Sequence, residues 1–216
     1  MAEIQNFKRL IDGEWGESSS KKKIETLNPE NNKVWATVPE ANKEDVDKAV
    51  QSAQKAFDNS WSKIHPRERA KYLKLIADQL RANAEHLGKI ETIDTGKLYR
   101  ETKTQANYIA EYYDYFAGLA DKVEGTVVPI DKPDMQVTTT RIPIGVVAAI
   151  IPWNSQMLLT AVKLAPALAM GNTVVIKASE LAPVTLLEFG KLIEKTGIPK
   201  GVINIITGLG EPCGKA

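Results

Sequence analysis

The sequence predicts an α/β protein built on a parallel sheet with flanking helices, with a β-hairpin inserted ahead of it. Three observations point there. From Pro143 onward, short β-branched apolar runs alternate with segments whose apolar residues recur every three to four positions. The runs at 146–150, 173–176 and 202–206 are apolar almost throughout, as in strands covered on both faces by crossover helices. Gly171 and Gly197 close the two intervening helical segments, about 155–170 and 183–195, where a left-handed residue stops a helix. Strand, crossover helix and strand in that rhythm make half of a doubly wound, Rossmann-like sheet.

The elements ahead of this core follow in order. The first 40 residues alternate apolar runs at 7–11, 24–27 and 34–38 with turn material at Asp12-Gly13, Ser18-Ser19-Ser20 and Asn28-Pro29, the pattern of small edge strands and hairpins. From Asn42 the period changes. Val46, Ala49, Val50, Ala53 and Phe57 recur at three and four, with Asn42 placed to cap and Glu44 and Asp45 in the first turn, so an amphipathic helix begins there. Pro66 opens a second, whose expected buried stripe is Ala70, Leu73, Ile76, Ala77, Leu80 and Leu87, with Arg and Lys facing water. A third, about 99–119, carries Tyr108, Tyr112, Tyr113, Tyr115 and Phe116, a row that reads as a packing or interface face ahead of a ligand-stacking one. Two Thr- and Val-rich runs flank the turn Asp131-Lys132-Pro133-Asp134 and make a hairpin. Its unpaired edge suits an oligomerisation arm or a surface flap.

Composition narrows the classes of function. The 216 residues are 43% hydrophobic and 25% charged with a formal net charge of +1, ordinary globular material that offers no strong field to nucleic acid or an anionic membrane. The longest apolar stretch, 142–153, is broken by Pro143, Gly145 and Pro152 and is too short to cross a bilayer; the first six residues lack an apolar signal core. Cys213 stands alone, so it has no internal disulfide partner, and one thiol with two histidines leaves no zinc constellation. A cytoplasmic protein with small-molecule partners is the expectation.

Ligands of open parallel sheets bind outside the carboxyl ends of the strands, which directs attention to the loops after Ile150, Ile176 and Ile206. The middle loop, Lys177-Ala178-Ser179-Glu180, puts a cationic donor and a carboxylate three residues apart; the pair suits a ribose diol, or is a solvated ion pair with no ligand. The last, Thr207-Gly208-Leu209-Gly210-Glu211-Pro212-Cys213-Gly214, is one residue longer than the dinucleotide fingerprint and is a weak signal by itself. In the first loop, Asn154 stands at a helix start. It either donates its amide to a developing negative charge or caps the helix.

Several long motifs occur in one order: Arg141-Ile-Pro-Ile-Gly-Val-Val-Ala-Ala-Ile-Ile-Pro-Trp-Asn, then Lys163-Leu-Ala-Pro-Ala-Leu-Ala-Met-Gly-Asn-Thr-Val-Val-Ile-Lys-Ala-Ser-Glu, then Gly197-Ile-Pro-Lys-Gly-Val-Ile-Asn-Ile-Ile-Thr-Gly. With Leu27-Asn-Pro and Asp94-Thr-Gly-Lys, they resemble the aldehyde dehydrogenase superfamily from about Phe7 to the last residue. The resemblance implies an NAD-binding domain at 1–122 and 143–216, interrupted by an oligomerisation hairpin at 123–142 through which a homo-dimer or tetramer would assemble. It implies that Asn154 serves the oxyanion formed when a cysteine thiolate attacks an aldehyde, that Ile150, Ile151, Pro152 and Trp153 line the cofactor cleft, and that Lys177, Ala178, Ser179 and Glu180 form the adenine-ribose loop. Gly210 and Gly214 would let the adenine end approach the backbone. Glu180 would repel a 2′-phosphate, so NAD is expected before NADP. Lys163 resembles a lysine proposed to move protons, with a structural salt bridge as the alternative. Thr26, Asp94 and Leu181 match positions around a monovalent cation in some relatives. Ser155, Gln156, Tyr112 and Tyr113 are expected near the aldehyde tunnel.

The family chemistry runs through a thiohemiacetal and a thioester and needs a thiolate and a general-base glutamate. Neither has a match in these residues, and Cys213 lacks the surroundings of the family nucleophile. The expectation is therefore an amino-terminal portion, with the catalytic domain outside it, that is inactive alone and exposes a sheet edge. A catalytically incomplete nucleotide-binding or assembly fragment is the competing reading; a Tyr-Lys reductase fits the Pro-Trp-Asn loop poorly.

Overall fold

In the computed structural model, which describes residues 4–216, the chain opens with five short strands. These are β1 (Gln5–Asn6), β2 (Arg9–Ile11), β3 (Glu14–Gly16), β4 (Lys23–Asn28) and β5 (Lys33–Pro39). The first three residues of the expected 1–122 segment lie outside the described residues. Strands β1, β5 and β4 form a small sheet in that order, while β2 and β3 form a hairpin that joins the main sheet.

Helix α1 (Lys43–Asn59) starts at Asn42 with a complete capping box: the Asn42 side chain accepts from the Asp45 N–H and Asp45 accepts from the Asn42 N–H. Asp45 is fully buried and also accepts from Ser18 Oγ at 2.6 Å, with Arg9 at 3.0 Å. Burial alone would raise its pKa; the hydrogen bonds from Ser18, Ser19 and Asn42 and the Arg9 charge outweigh that and hold it below the usual carboxylate range. The buried stripe is Asp45, Ala49, Ala53 and Ala56. Val50, expected inside, is 41% exposed. Alanines at four-residue spacing let the helix lie close on the sheet, and Val50 sits one helical step, about 100°, off that line.

After a short 3-10 turn at Trp61–Lys63 come α2 (Pro66–Ala82), α3 (Ala84–Thr95) and α4 (Tyr99–Leu119). The single helix expected through Leu87 is thus two. Asn83 breaks it, because its side-chain amide takes the Gln79 carbonyl and so competes with the backbone ladder. Arg69 departs from the expectation that cations face water: it is buried, and donates to the Ala169 and Ile64 carbonyls. The α4 aromatics divide by face. Tyr113 is fully buried against Phe189, whereas Tyr108 and Tyr115 are exposed.

The hairpin of β6 (Val127–Val128) and β7 (Val137–Thr138) is antiparallel and exposed along its whole length. Its residues make no core of their own. Then β8 (Val146–Ile150), α5 (Gln156–Ala169), β9 (Thr173–Ala178), α6 (Val184–Glu194) and β10 (Ile203–Thr207) alternate as expected, and Gly171 and Gly197 have φ of 86° and 70°.

The five-stranded sheet runs β3-β2-β10-β9-β8, with its last three strands parallel and β2 antiparallel to β10 through Leu10 and Ile205. Period-two alternation divides its side chains between two cores. Val174, Ile176, Ile203 and Ile205 pack with α5, α6, α2 and α4, whereas Val175, Ile206 and Cys213 pack with Ala49 and Ala53 of α1. Strands β9 and β10 are buried throughout, as predicted; β8 is not. It stands at the sheet edge, so Ala148 and Ile150 are exposed. Among the described residues no helix is long and apolar enough to cross a membrane.

Candidate functional site

The three loops singled out in the sequence meet at one end of the parallel strands. Register aligns them: Ile150 and Ile206 both pair with Lys177, and Thr207 pairs with Ala178. The Ile151 N–H extends the ladder one step further, donating to the Lys177 carbonyl at 3.1 Å. Lys177 therefore sits on the central strand with a loop on either side.

Alternation turns Lys177 toward the α1 face, the side that also holds Cys213. Its Nζ lies 2.9 Å from Glu180 Oε2. The pair is not a freely solvated one, since the Lys177 side chain is 11% exposed while Glu180, at 35%, opens outward. Burial pulls the Glu180 pKa up, and its own backbone N–H together with Lys177 brings it below the usual range, so it is an ionised acceptor at neutral pH. Ala178 and Ser179 are buried and contribute backbone to the loop.

Over 210–214 the last loop forms one π-type turn closed by the Gly214 N–H on the Leu209 carbonyl. A Cβ built on Gly210 would meet nothing within 4 Å, and one on Gly214 only the Leu209 oxygen at 3.8 Å. Packing does not demand glycine at either place. The bare backbone leaves room for a ligand against the loop. Cys213 points inward at 3% exposure, and burial raises its thiol pKa, which favours the neutral, packed thiol.

In the first loop Ile151 is buried, leaving Ile150 and Trp153, 61% and 54% exposed, as the apolar wall beside the strand ends. Asn154 is exposed, and its side chain makes no hydrogen bond to another described residue. The residue at the helix N-cap is Ser155, so the reading of Asn154 as a cap does not hold. Asn154 leaves its amide free to donate. Gln156 and Tyr113, expected near an aldehyde tunnel, are fully buried, and Tyr112 is half-buried. Lys163 donates to the Leu159 carbonyl at 3.2 Å, and no carboxylate lies within salt-bridge distance of it among the described residues.

Thr26 and Asp94 are each 1% exposed, and Thr26 Oγ1 and Asp94 Oδ1 have no hydrogen-bond partner among the described residues. Asp94 Oδ2 accepts from the N–H and hydroxyl of Thr185, serving as a remote cap for α6, whose own N-cap is Pro183. Burial nevertheless pushes Asp94 up to about 7. Leu181 is 61% exposed in the loop that precedes α6. Among the described residues no three His, Cys, Asp or Glu side chains group to hold a metal, so a cation here would depend on hydroxyl and carbonyl oxygens around one carboxylate.

Sequence reasoning missed Lys97 and Ser155 as a pair. The Asp94-Thr-Gly-Lys turn was visible, but not where its lysine reaches.

The sequence pattern of the aldehyde dehydrogenase family matches residues 15–216. Over 212 residues the chain is 51% identical to (Z)-2-((N-methylformamido)methylene)-5-hydroxybutyrolactone dehydrogenase of Acinetobacter baylyi, covering 98% of this chain and 43% of the relative. It is 42% identical to betaine aldehyde dehydrogenase of Bacillus subtilis, covering 95% and 42%. Among solved structures, betaine aldehyde dehydrogenase of Staphylococcus aureus in complex with NAD+ superposes with a TM-score of 0.92 at 40% identity, covering 96% of this chain and 41% of that one. An NAD-dependent aldehyde dehydrogenase of Sinorhizobium meliloti gives 0.94 at 33% identity, covering 99% and 43%. The chain thus spans less than half the length of these relatives.

Proposed function

We propose that this chain, which belongs to the aldehyde dehydrogenase family, forms the NAD-binding portion of an enzyme that oxidises an aldehyde to a carboxylic acid. One observation carries the reading: Lys177, Glu180, the bare backbone at Gly210 and the unengaged amide of Asn154 gather at the carboxyl ends of three adjacent parallel strands. That is where a dinucleotide lies on such a sheet.

In this reading Lys177 and Glu180 hold the adenine ribose, Gly210 and Gly214 admit the adenine end, and Ile150, Pro152 and Trp153 flank the cleft. Held there, NAD would supply the acceptor for a hydride from the substrate carbon. Asn154 donates its amide to the carbonyl oxygen as negative charge grows on it, when a thiolate from outside these 216 residues attacks and forms the thiohemiacetal. A general base, also from elsewhere in the full-length protein, serves the hydrolysis of the thioester. Lys163, bonded only to a backbone carbonyl, keeps the role of a proton relay as a subsidiary proposal. The 123–142 hairpin, exposed throughout with Val127, Val128 and Ile130 outward, is proposed as the arm through which subunits pair.

The test is NADH formation by the full-length protein over a panel of aldehydes; absence of NADH with every aldehyde sinks the reading. Cofactor contacts are checked separately. Glu180→Ala is expected to weaken NAD binding by about 10- to 100-fold, the worth of a hydrogen bond to a charged group, and to improve NADP relative to NAD. Titration calorimetry measures both, and an unchanged Kd would remove Glu180 from the ribose.

Thr26, Asp94 and the Leu181 carbonyl are proposed to hold a monovalent cation, which would offset the cost of keeping an ionised carboxylate buried. Potassium at about 100-fold above its Kd is then expected to stabilise the protein by about 2–3 kcal/mol at slightly alkaline pH. Asp94→Asn should abolish that gain in thermal melts. Equal gains in both proteins would show a general salt effect instead.

A further inference from the structure

We propose that Lys97 is a positioning residue for Asn154, acting through the hydroxyl of Ser155; the inference rests on the reading of Asn154 as the oxyanion donor. The segment to be positioned is short. Pro152, Trp153 and Asn154 are three consecutive exposed residues between two anchors. On one side, the Ile151 N–H is fixed to the Lys177 carbonyl at the end of β9. On the other stands Ser155, the residue that begins α5.

Ser155 is not fixed in the usual manner of a helix start. Its hydroxyl makes no cap bond to the first turn of α5, and its backbone sits at φ −162°, ψ 62°. The hydroxyl instead accepts from Lys97 Nζ at 2.8 Å. The same ammonium lies 3.4 Å from Glu91 Oε1, and the Glu91 side chain is 3% exposed, so the lysine is itself held at a buried point on α3. Gly96, at φ +77°, turns the chain back after α3 and brings Lys97 to the loop. The chain of contacts therefore runs from α3 through Glu91 and Lys97 to Ser155, the residue beside Asn154.

Asn154 has no side-chain bond of its own to hold it, so the direction of its amide depends on the backbone at 153–155. An oxyanion donor acts only within a few tenths of an ångström of its productive place. Loss of the Ser155 anchor frees that backbone without touching Lys177, Glu180 or Gly210. The expected signature is a fall in kcat with cofactor binding preserved.

The experiment measures kcat, and KM for NAD, in the full-length protein for Ser155→Ala, Lys97→Met and Lys97→Arg, each alone and combined with Asn154→Ala. Ser155→Ala and Lys97→Met are expected to lower kcat by about 5- to 30-fold with KM for NAD changed less than about twofold, and Lys97→Arg to recover most of the loss. In the Asn154→Ala background the same changes should cost less than about twofold, because they act through a group already removed. Ser155→Ala keeps the Lys97–Glu91 pair and so decides the matter if Lys97→Met folds poorly. Unchanged kcat in Ser155→Ala, or losses that multiply with that of Asn154→Ala, overturn the inference while leaving Asn154 as donor. If Asn154→Ala itself leaves kcat intact, the oxyanion reading fails and the inference falls with it.

Discussion

Asn154→Ala in the full-length protein is expected to lower kcat by about 100- to 1,000-fold, the effect of deleting one oxyanion donor in acyl-transfer enzymes. The Kd for NAD should stay within about threefold. The separation follows from position: Asn154 lies on the loop after β8, while Lys177 stands near the end of β9 and Glu180 and Gly210 belong to the loops after β9 and β10. Its amide is committed to nothing in the fold, so truncation breaks no internal hydrogen bond and should leave the melting temperature nearly unchanged. Pre-steady-state measurement of NADH formation would place the loss in the step before hydride transfer is complete. A variant with normal kcat would end the assignment of Asn154 as donor.

Trp61→Ala is the second large effect, on stability: a loss of about 3–5 kcal/mol, comparable to much of the 5–15 kcal/mol by which a domain is stable. Trp61 occupies the 3-10 turn between α1 and α2, is fully buried, and packs its ring 5.6 Å from that of Tyr72. Its Nε1 has no hydrogen-bond partner among the described residues, so the contribution comes from packing. Denaturant unfolding should show a lower midpoint at unchanged slope. As the control, Val50→Ala on the exposed side of α1 is expected to change stability by less than about 0.5 kcal/mol. A loss at Val50 as large as at Trp61 would contradict the burial described for α1.

Much of the framework was legible because it is local. The left-handed stops at Gly171 and Gly197, the N-cap at Asn42 and the apolar runs that became β9 and β10 each depend on residues within one or two turns of the chain. The strand-end loops were legible for a related reason: parallel connectivity places them together whatever the side chains are, so Lys177 and Glu180 could be singled out before their 2.9 Å contact was seen.

What the tertiary structure decided involves partners far apart in sequence. Periodicity shows which face of a helix is apolar but not how closely its neighbour approaches, so Val50 was placed inside, and nothing local showed that the first-turn Asp45 is buried where α1 packs on the sheet. An arginine reads as a surface residue until Arg69 meets the Ala169 carbonyl, 100 residues away. Strand composition did not show that β8 stands at the sheet edge, since an edge is defined by which strand is beside it. Ser155 and Lys97 are 58 residues apart. Sequence alone supplied the oxyanion candidate, its loop and the cofactor side chains, whereas the fold determined that Ser155 takes the cap position, that Asn154 is left free, and that a lysine from α3's far end reaches across to hold the turn between them.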